Sequence, residues 1–261
     1  MRSILVQAGR DAGMGARLDT AMDLARVHGG HLTVLVDTPV DKYVTVDPYG
    51  GAILAREALE TALKEDDALA AAFGERLAHD DVPFDVAQSE LPQIDALVRG
   101  GDLADLMVIS RSSGLAGDLS LNASCPVLAL PDHTPLRLPL GTVCIAWDGG
   151  SEAARAMKAA VPLLQGAQDV RVLTVATDQP NGFPATEALR YLARHGVKAE
   201  LTELEQGSSV EETLAAEVAR LGAGLLVMGA YSHSRLREFL FGGVTRFFLD
   251  DLTAPPLLMA H

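Results

Sequence analysis

The sequence predicts an α/β protein built as two tandem doubly wound domains, each around a five-stranded parallel sheet. Three observations predict it. Short apolar runs with no polar face recur along the chain, as strands buried on both sides of a parallel sheet require. Amphipathic helical patterns separate them, so that strand and helix alternate through five strands. The alternation then starts again near Thr142, and the 261 residues divide into two copies of one plan.

In the first copy, residues 3–6 (SILV) form the opening strand, and a polar turn containing glycine follows. Leu18, Met22 and Ala25 then recur at helical spacing. A strand is expected at 31–36, a helix at 52–79, a strand at 83–87 and a helix at 92–99. The highly apolar run 106–110 is the fourth strand, and the proline-led run 126–130 is the fifth. The second copy opens with a strand at 142–147 and a helix carrying Ala156, Ala159, Ala160 and Leu163. Strands at 170–176, 197–204, 225–229 and 256–260 follow, with helices at 184–195 and 208–222 between them. Residues 131–139 hold three prolines and few apolar side chains, which reads as a linker between domains at 1–133 and 139–261.

Composition excludes several functions. With 35 acidic against 21 basic residues, a net of −14, the chain offers no general nucleic-acid surface. Its apolar runs fall far short of the roughly 20 residues that span a bilayer, so no membrane partner is expected. Arg10 arrives too early for a secretory leader. Cys125 and Cys144 lack a CxxC or histidine partner at metal-site spacing, and are expected as buried thiols in a reducing cytoplasm. The charge is uneven: residues 1–138 carry 11 basic and 21 acidic side chains, residues 139–261 carry 10 and 14. An anion site is therefore expected in the second half.

The halves also differ in one loop. Ser110 to Pro126 spans 16 positions and Gly229 to Pro256 spans 27, so the first half is eleven residues shorter between its fourth and fifth strands. Loops after the carboxyl ends of such strands line the ligand crevice. The longer segment runs from Gly229 through Tyr231, Ser232, His233 and Ser234 to Gly242, Gly243, Val244 and Thr245. A glycine ends a strand, and two glycines open a helix whose free N–H groups form a seat for phosphate. Thr245 offers a hydroxyl to that seat or to a metal bridging the phosphates, and Arg235, Arg237 and Arg246 supply positive charge.

This segment resembles the nucleotide-binding signature of the universal stress protein family: glycine, two residues, glycine, nine residues, glycine, then serine or threonine. Gly229 and Gly242 match its first and third glycines, and Val244 and Thr245 match the residues beyond. Ser232 stands where the second glycine belongs, adding a Cβ beside the phosphate, and Gly243 stands where a hydroxyl belongs. The stretch Trp147-Asp148-Gly149-Gly150-Ser151 resembles the family's first loop, which implies that Asp148 lies against the nucleotide. The resemblance also implies a residue at the end of the second strand against adenine, and Val175 is the best match. It covers nearly the whole chain, as a tandem universal stress protein in which the last strands of the two halves pair as an intramolecular pseudo-dimer. What it implies is a stress-response sensor, without robust catalysis, that binds ATP with magnesium in the second half and acts on an unidentified protein partner. Association of two chains into a homodimer is left open.

The first half departs from the pattern. Its segment, Ser110 to Ser120, is too short for the spacing, and Asp118 stands where a phosphate-contacting hydroxyl belongs. No nucleotide is expected there. Gly13-Met14-Gly15 with Asp37 resembles a dinucleotide fingerprint but lacks the third glycine. His28 and His31 flank two glycines as a solvated turn, and Glu65-Asp66-Asp67 is a solvated helix face without the ligand alternation of a calcium loop. No GxSxG, GxxxxGK or HExxH occurs, so no catalytic and no metal-ligating residue is assigned. Two alternatives share the fold: an adaptor that binds no nucleotide, and a slow ATP hydrolase using Asp148 or His233.

Overall fold

The computed structural model describes residues 1–43, 51–176, 182–231, 243–251 and 253–261. In the first half the chain runs β1 (Ser3–Gln7), α1 (Met14–His28), β2 (His31–Asp37), α2 (Gly51–Leu77), β3 (Phe84–Ser89), α3 (Gln93–Gly101), β4 (Leu106–Ser110), α4 (Ala116–Asn122) and β5 (Val127–Leu130). The second half repeats this as β6 (Thr142–Ala146), α5 (Ser151–Leu164), β7 (Asp169–Val175), α6 (Ala185–Arg194), β8 (Glu200–Leu204), α7 (Val210–Arg220), β9 (Leu225–Gly229), α8 (Gly243–Asp250) and β10 (Leu257–Ala260). Strands expected from apolar runs stand where the sequence places them, and β4 and β9 match to the residue.

The ten strands form one sheet in the order β3-β2-β1-β4-β5-β10-β9-β6-β7-β8. Pairing is parallel throughout each half, and only β5 and β10, at the junction, run antiparallel. There Leu257 faces Ala129, Leu258 faces Leu128 and Met259 faces Val127. Each of these two strands would otherwise end a sheet with unpaired N–H and C=O groups, so the pairing removes two aggregation-prone edges.

Alternation along the strands sends side chains to two cores. Ile4, Val6, Val108, Leu128, Val143, Ile145 and Leu258 pack beneath α1, α2, α5 and α6. Leu5, Met107, Ile109, Val127, Ala129, Leu226 and Met259 pack beneath α3, α4, α7 and α8. Both cores run unbroken through the β5–β10 junction, which makes the two halves one packed body. The connector is more firmly held than its composition suggests. Leu136 and Leu140 are buried, and the Leu136 N–H donates to Thr20 Oγ at 2.9 Å. Both cysteines are buried and free, and burial pushes their thiols up to about 11 for Cys125 and about 12 for Cys144, far from reactive thiolates. Among the described residues no helix is long and apolar enough to cross a membrane.

Candidate functional site

In a doubly wound sheet the crevice opens where neighbouring strands send their connections in opposite directions. The strand order puts that point between β6 and β9 in the second half, and between β1 and β4 in the first.

At the β6 exit, Trp147 extends the strand by donating its N–H to Leu173 O at 2.8 Å. Asp148 is exposed, and its Oδ1 accepts the Gly150 N–H at 2.8 Å, folding the carboxylate back over its own turn. Gly149 has φ 82°, which glycine adopts without strain. The segment after β7 then crosses this turn: the Phe183 N–H donates to Gly149 O at 2.9 Å, and Trp147 Nε1 donates to Phe183 O at 3.0 Å. The turn that carries Asp148 is thus held at the β6 exit by Trp147, Gly149 and Phe183. Val175 closes β7 opposite Leu204 and packs against the core on the α7 side.

At the β9 exit, the glycine expected to admit a ligand has another task. A Cβ on Gly229 would stand 2.6 Å from Ala153 N and 2.8 Å from the carbonyl carbon of Glu152, so the first turn of α5 crosses directly over it. Beyond it Tyr231 takes a left-handed φ of 56°, uncommon for a residue with a Cβ, and its N–H donates to Thr245 Oγ at 3.2 Å. Thr245 is only 3% exposed. Its hydroxyl joins the strand exit to the first turn of α8. Gly243 opens α8 at the surface, and Val244 is half-buried beneath it. Among the described residues, a Cβ on Gly243 would find only Glu211 Oε1, at 3.7 Å. Of the residues singled out from the sequence, Asp148, Gly229, Gly243, Val244 and Thr245 line the β6 and β9 exits. Val175 lies one strand away. Ser232 and Gly242 fall outside the described residues, as do His233, Ser234, Arg235 and Arg237.

The first half fills the corresponding position with its own side chains. Arg17, 1% exposed, reaches from α1 across the exits of β1 and β4. Its Nε donates to Gln7 O at 3.0 Å, and its two terminal nitrogens form a fork with Asp11 at 2.8 and 2.6 Å. It also donates to Ser110 Oγ. The hydrogen bonds and charge of Arg17 hold the Asp11 carboxyl below its ordinary range. Asp11 further accepts the Gly13 N–H at 2.9 Å, and Asp132 Oδ1 lies on the other side of Gly13, bonded to Ser112 Oγ. The Gly13-Met14-Gly15 turn is therefore bound to a carboxylate of its own chain, which leaves it unsuited to a pyrophosphate. Asp37, at the end of β2, accepts from Gln93 Nε2 at 3.3 Å, and burial raises its pKa.

Arg17 escaped the sequence reading, although a signal was present. It lies three residues after Met14 and four before Ala21, on the apolar face of α1. A cation on a core face needs a partner, and Asp11 was the nearest acid at the strand exit.

No family model matches the chain, and no curated protein matches it in sequence. Its fold, however, is shared over its full length with solved structures. A universal stress protein from Archaeoglobus fulgidus DSM 4304 superposes with a TM-score of 0.64 at 15% identity, covering 98% of this chain and 97% of that one. A functionally unknown protein from Pseudomonas aeruginosa PAO1 does so with a TM-score of 0.63 at 18% identity, over 100% and 92%. A candidate universal stress protein from Pseudomonas aeruginosa UCBPP-PA14 gives 0.61 at 18% identity, over 100% and 93%. The chain has the fold of a tandem universal stress protein.

Proposed function

We propose that this chain is a tandem universal stress protein that binds one adenine nucleotide, ATP with magnesium, in its second half, and signals by conformation without robust catalysis. The observation that carries this reading is the contrast between the two crevices. In the first half Arg17, Asp11 and Ser110 occupy the strand exits, whereas the β6–β9 exits hold no such fork among the described residues. In this reading Asp148 meets the nucleoside and Val175 flanks the base. The backbone N–H groups at Gly243, Val244 and Thr245 would take the phosphates, and the Thr245 hydroxyl would be the side chain at hand for a magnesium ion, which would supply charge neutralisation. Gly229, Ser232 and Gly242 shape the backbone between. Residues 1–133 and 139–261 act as a filled domain and a binding domain. The two buried, unreactive thiols suit a reducing cytoplasm.

The test uses the full chain and its single tryptophan, Trp147, whose indole is bonded beside the crevice. Titration with magnesium-ATP is expected to change its emission saturably. Gly243→Asp, which sets a carboxylate at the phosphate seat, should weaken binding about tenfold. Asp11→Asn, in the other half, should leave affinity unchanged. The absence of a saturable change up to millimolar ATP would sink the reading. Phosphate release that Asp148→Ala abolishes without loss of binding would turn it into a slow ATP hydrolase.

One observation favours a second reading, an adaptor that binds no nucleotide. Glu211 Oε1 already lies near the first residue of α8, where its charge complements the helix dipole.

A further inference from the structure

Helix α8 belongs to the second half, yet residues of the first half hold it. Arg111 follows β4 directly and is buried. Its Nη1 donates to Asp251 O at 2.5 Å, and its Nη2 to Ala254 O at 3.0 Å and Pro255 O at 2.5 Å. These three carbonyls lie in the turn that joins α8 to β10. Burial pulls the pKa of Arg111 down, with the Asp251 and Asp132 carboxylates opposing, but an arginine stays charged. A cation therefore stands just past the carboxyl end of α8, where the helix dipole is negative. Its charge-assisted hydrogen bonds fix the backbone there.

The other end of α8 is reached through Tyr231. Its N–H holds Thr245 in the first turn of α8, and its hydroxyl lies so close over Gly117 of α4 that a Cβ on Gly117 would overlap it. The first half thus meets α8 at the carboxyl end through Arg111 and through Gly117, whose Cβ would stand 3.6 Å from Leu249 Cδ1, and reaches the amino end through the Tyr231 that lies over Gly117. The second half has no cation to send back from the matching place, since Ala230 follows β9 where Arg111 follows β4.

We propose that Arg111 is a positioning residue for the crevice of the opposite half, and that with Gly117 it makes the filled half the platform that places α8. The consequence for ligand binding rests on the nucleotide reading above; the placement of α8 does not.

The test compares full-length wild type, Arg111→Met, Arg111→Lys and Gly117→Ala by amide hydrogen exchange and by magnesium-ATP titration. Arg111→Met should speed exchange across 244–250 about tenfold, with the β6 and β7 amides protected as in wild type. It should weaken ATP binding about tenfold, and Arg111→Lys should recover part of both losses. Gly117→Ala keeps the guanidinium but displaces Tyr231 and presses on Leu249, so it should raise exchange at both Thr245 and Leu249. Unchanged α8 protection in folded Arg111→Met and Gly117→Ala would overturn the proposal. So would a loss spread evenly over the second half. If Arg111→Met does not fold, Arg111→Lys and Gly117→Ala decide by the same criteria. If the wild type takes no ATP, the nucleotide reading falls by itself and the exchange pattern alone supports or overturns the positioning role.

Discussion

The two crevices solve the same packing problem in opposite ways. In both halves a helix comes down on the exit of the neighbouring strand, and one of the two backbones must lack a Cβ at the crossing. In the second half the strand yields: Gly229 lies under the first turn of α5. In the first half the helix side yields: Gly13 faces the Ser110 hydroxyl at the end of β4. The choice has consequences. A serine at the strand exit offers an oxygen, Arg17 takes it, and Asp11 neutralises Arg17, so the crevice closes on itself. A glycine there offers no side chain of its own, and among the described residues no such fork stands at that exit.

The largest effect that would break this comparison is at the crossings themselves. Gly229→Ala drives a methyl group into the backbone of Glu152 and Ala153, which cannot move without shifting α5. It should cost about 3 kcal/mol, the upper part of the usual range for overpacking. Gly13→Ala meets side-chain oxygens of Ser110, Asp11 and Asp132 rather than backbone; the serine can turn aside by giving up its bond with Arg17, and the variant should cost about 2 kcal/mol. Urea denaturation of both variants measures the difference. Equal costs would mean that the two crossings are not alternative solutions.

Next in size is the ion pair. Asp11→Asn leaves Arg17 buried with its charge unmatched. Because Asp11 is itself 47% exposed, water already screens the pair, and the expected loss is about 2 kcal/mol rather than the larger cost of a fully buried pair. The counterpart Asp148→Asn keeps an oxygen to accept the Gly150 N–H and only weakens a hydrogen bond within an exposed turn, so it should cost less than about 1 kcal/mol. Arg17→Met in the Asp11→Asn background should recover part of the first loss, because it removes the stranded charge.

The same pair sets a pH dependence of known sign. The folded-state pKa of Asp11 lies below its ordinary 3.8, with the hydrogen bond from Arg17 as the main cause. A carboxylate shifted down stabilises the fold above its unfolded pKa, and that stability is lost as pH falls through the folded value. Wild type should therefore lose stability faster than Asp11→Asn as pH drops below 3.8, and the gap between them should narrow. A gap that is constant with pH would mean that Asp11 acts by shape rather than charge.

These contrasts also show what the sequence could and could not disclose. Strands such as β4 and β9 were legible to the residue, because a run with no polar face has only one place to go in an α/β sheet. The doubled plan followed from repetition, and the unequal loops from counting. Arg111 was not read because its partners lie 140 and more positions away, in the 251–255 turn. Arg17 has Asp11 six positions away, but its bond to Ser110, 93 positions on, is what places it across the crevice. A buried arginine has no periodicity of its own; only its place on an apolar helix face betrays it. Gly229 was read as room for a ligand, whereas its neighbours in space are the backbone of α5. A glycine reports that a Cβ is unwelcome without saying what excludes it.

The smallest expected effect bears directly on whether the second half's crevice takes a phosphate. Glu211 stands in the first turn of α7 with Oε1 3.7 Å from where a Cβ of Gly243 would lie. Two helix N-termini therefore share one carboxylate, and a phosphate arriving at α8 would meet its repulsion. Glu211→Gln keeps the shape and removes the charge. If α8 seats a phosphate, the variant should bind magnesium-ATP about threefold more tightly, since a single charge near an exposed helix terminus contributes about 0.3–1 kcal/mol. The gain should shrink as salt is added, because the pair is near the surface. If instead Glu211 is the permanent occupant of that terminus, the variant should gain no affinity and should lose stability by about the same small amount. Calorimetric titration and a denaturation curve on one variant thus separate a crevice held open for an anion from one whose helix already has its counter-charge.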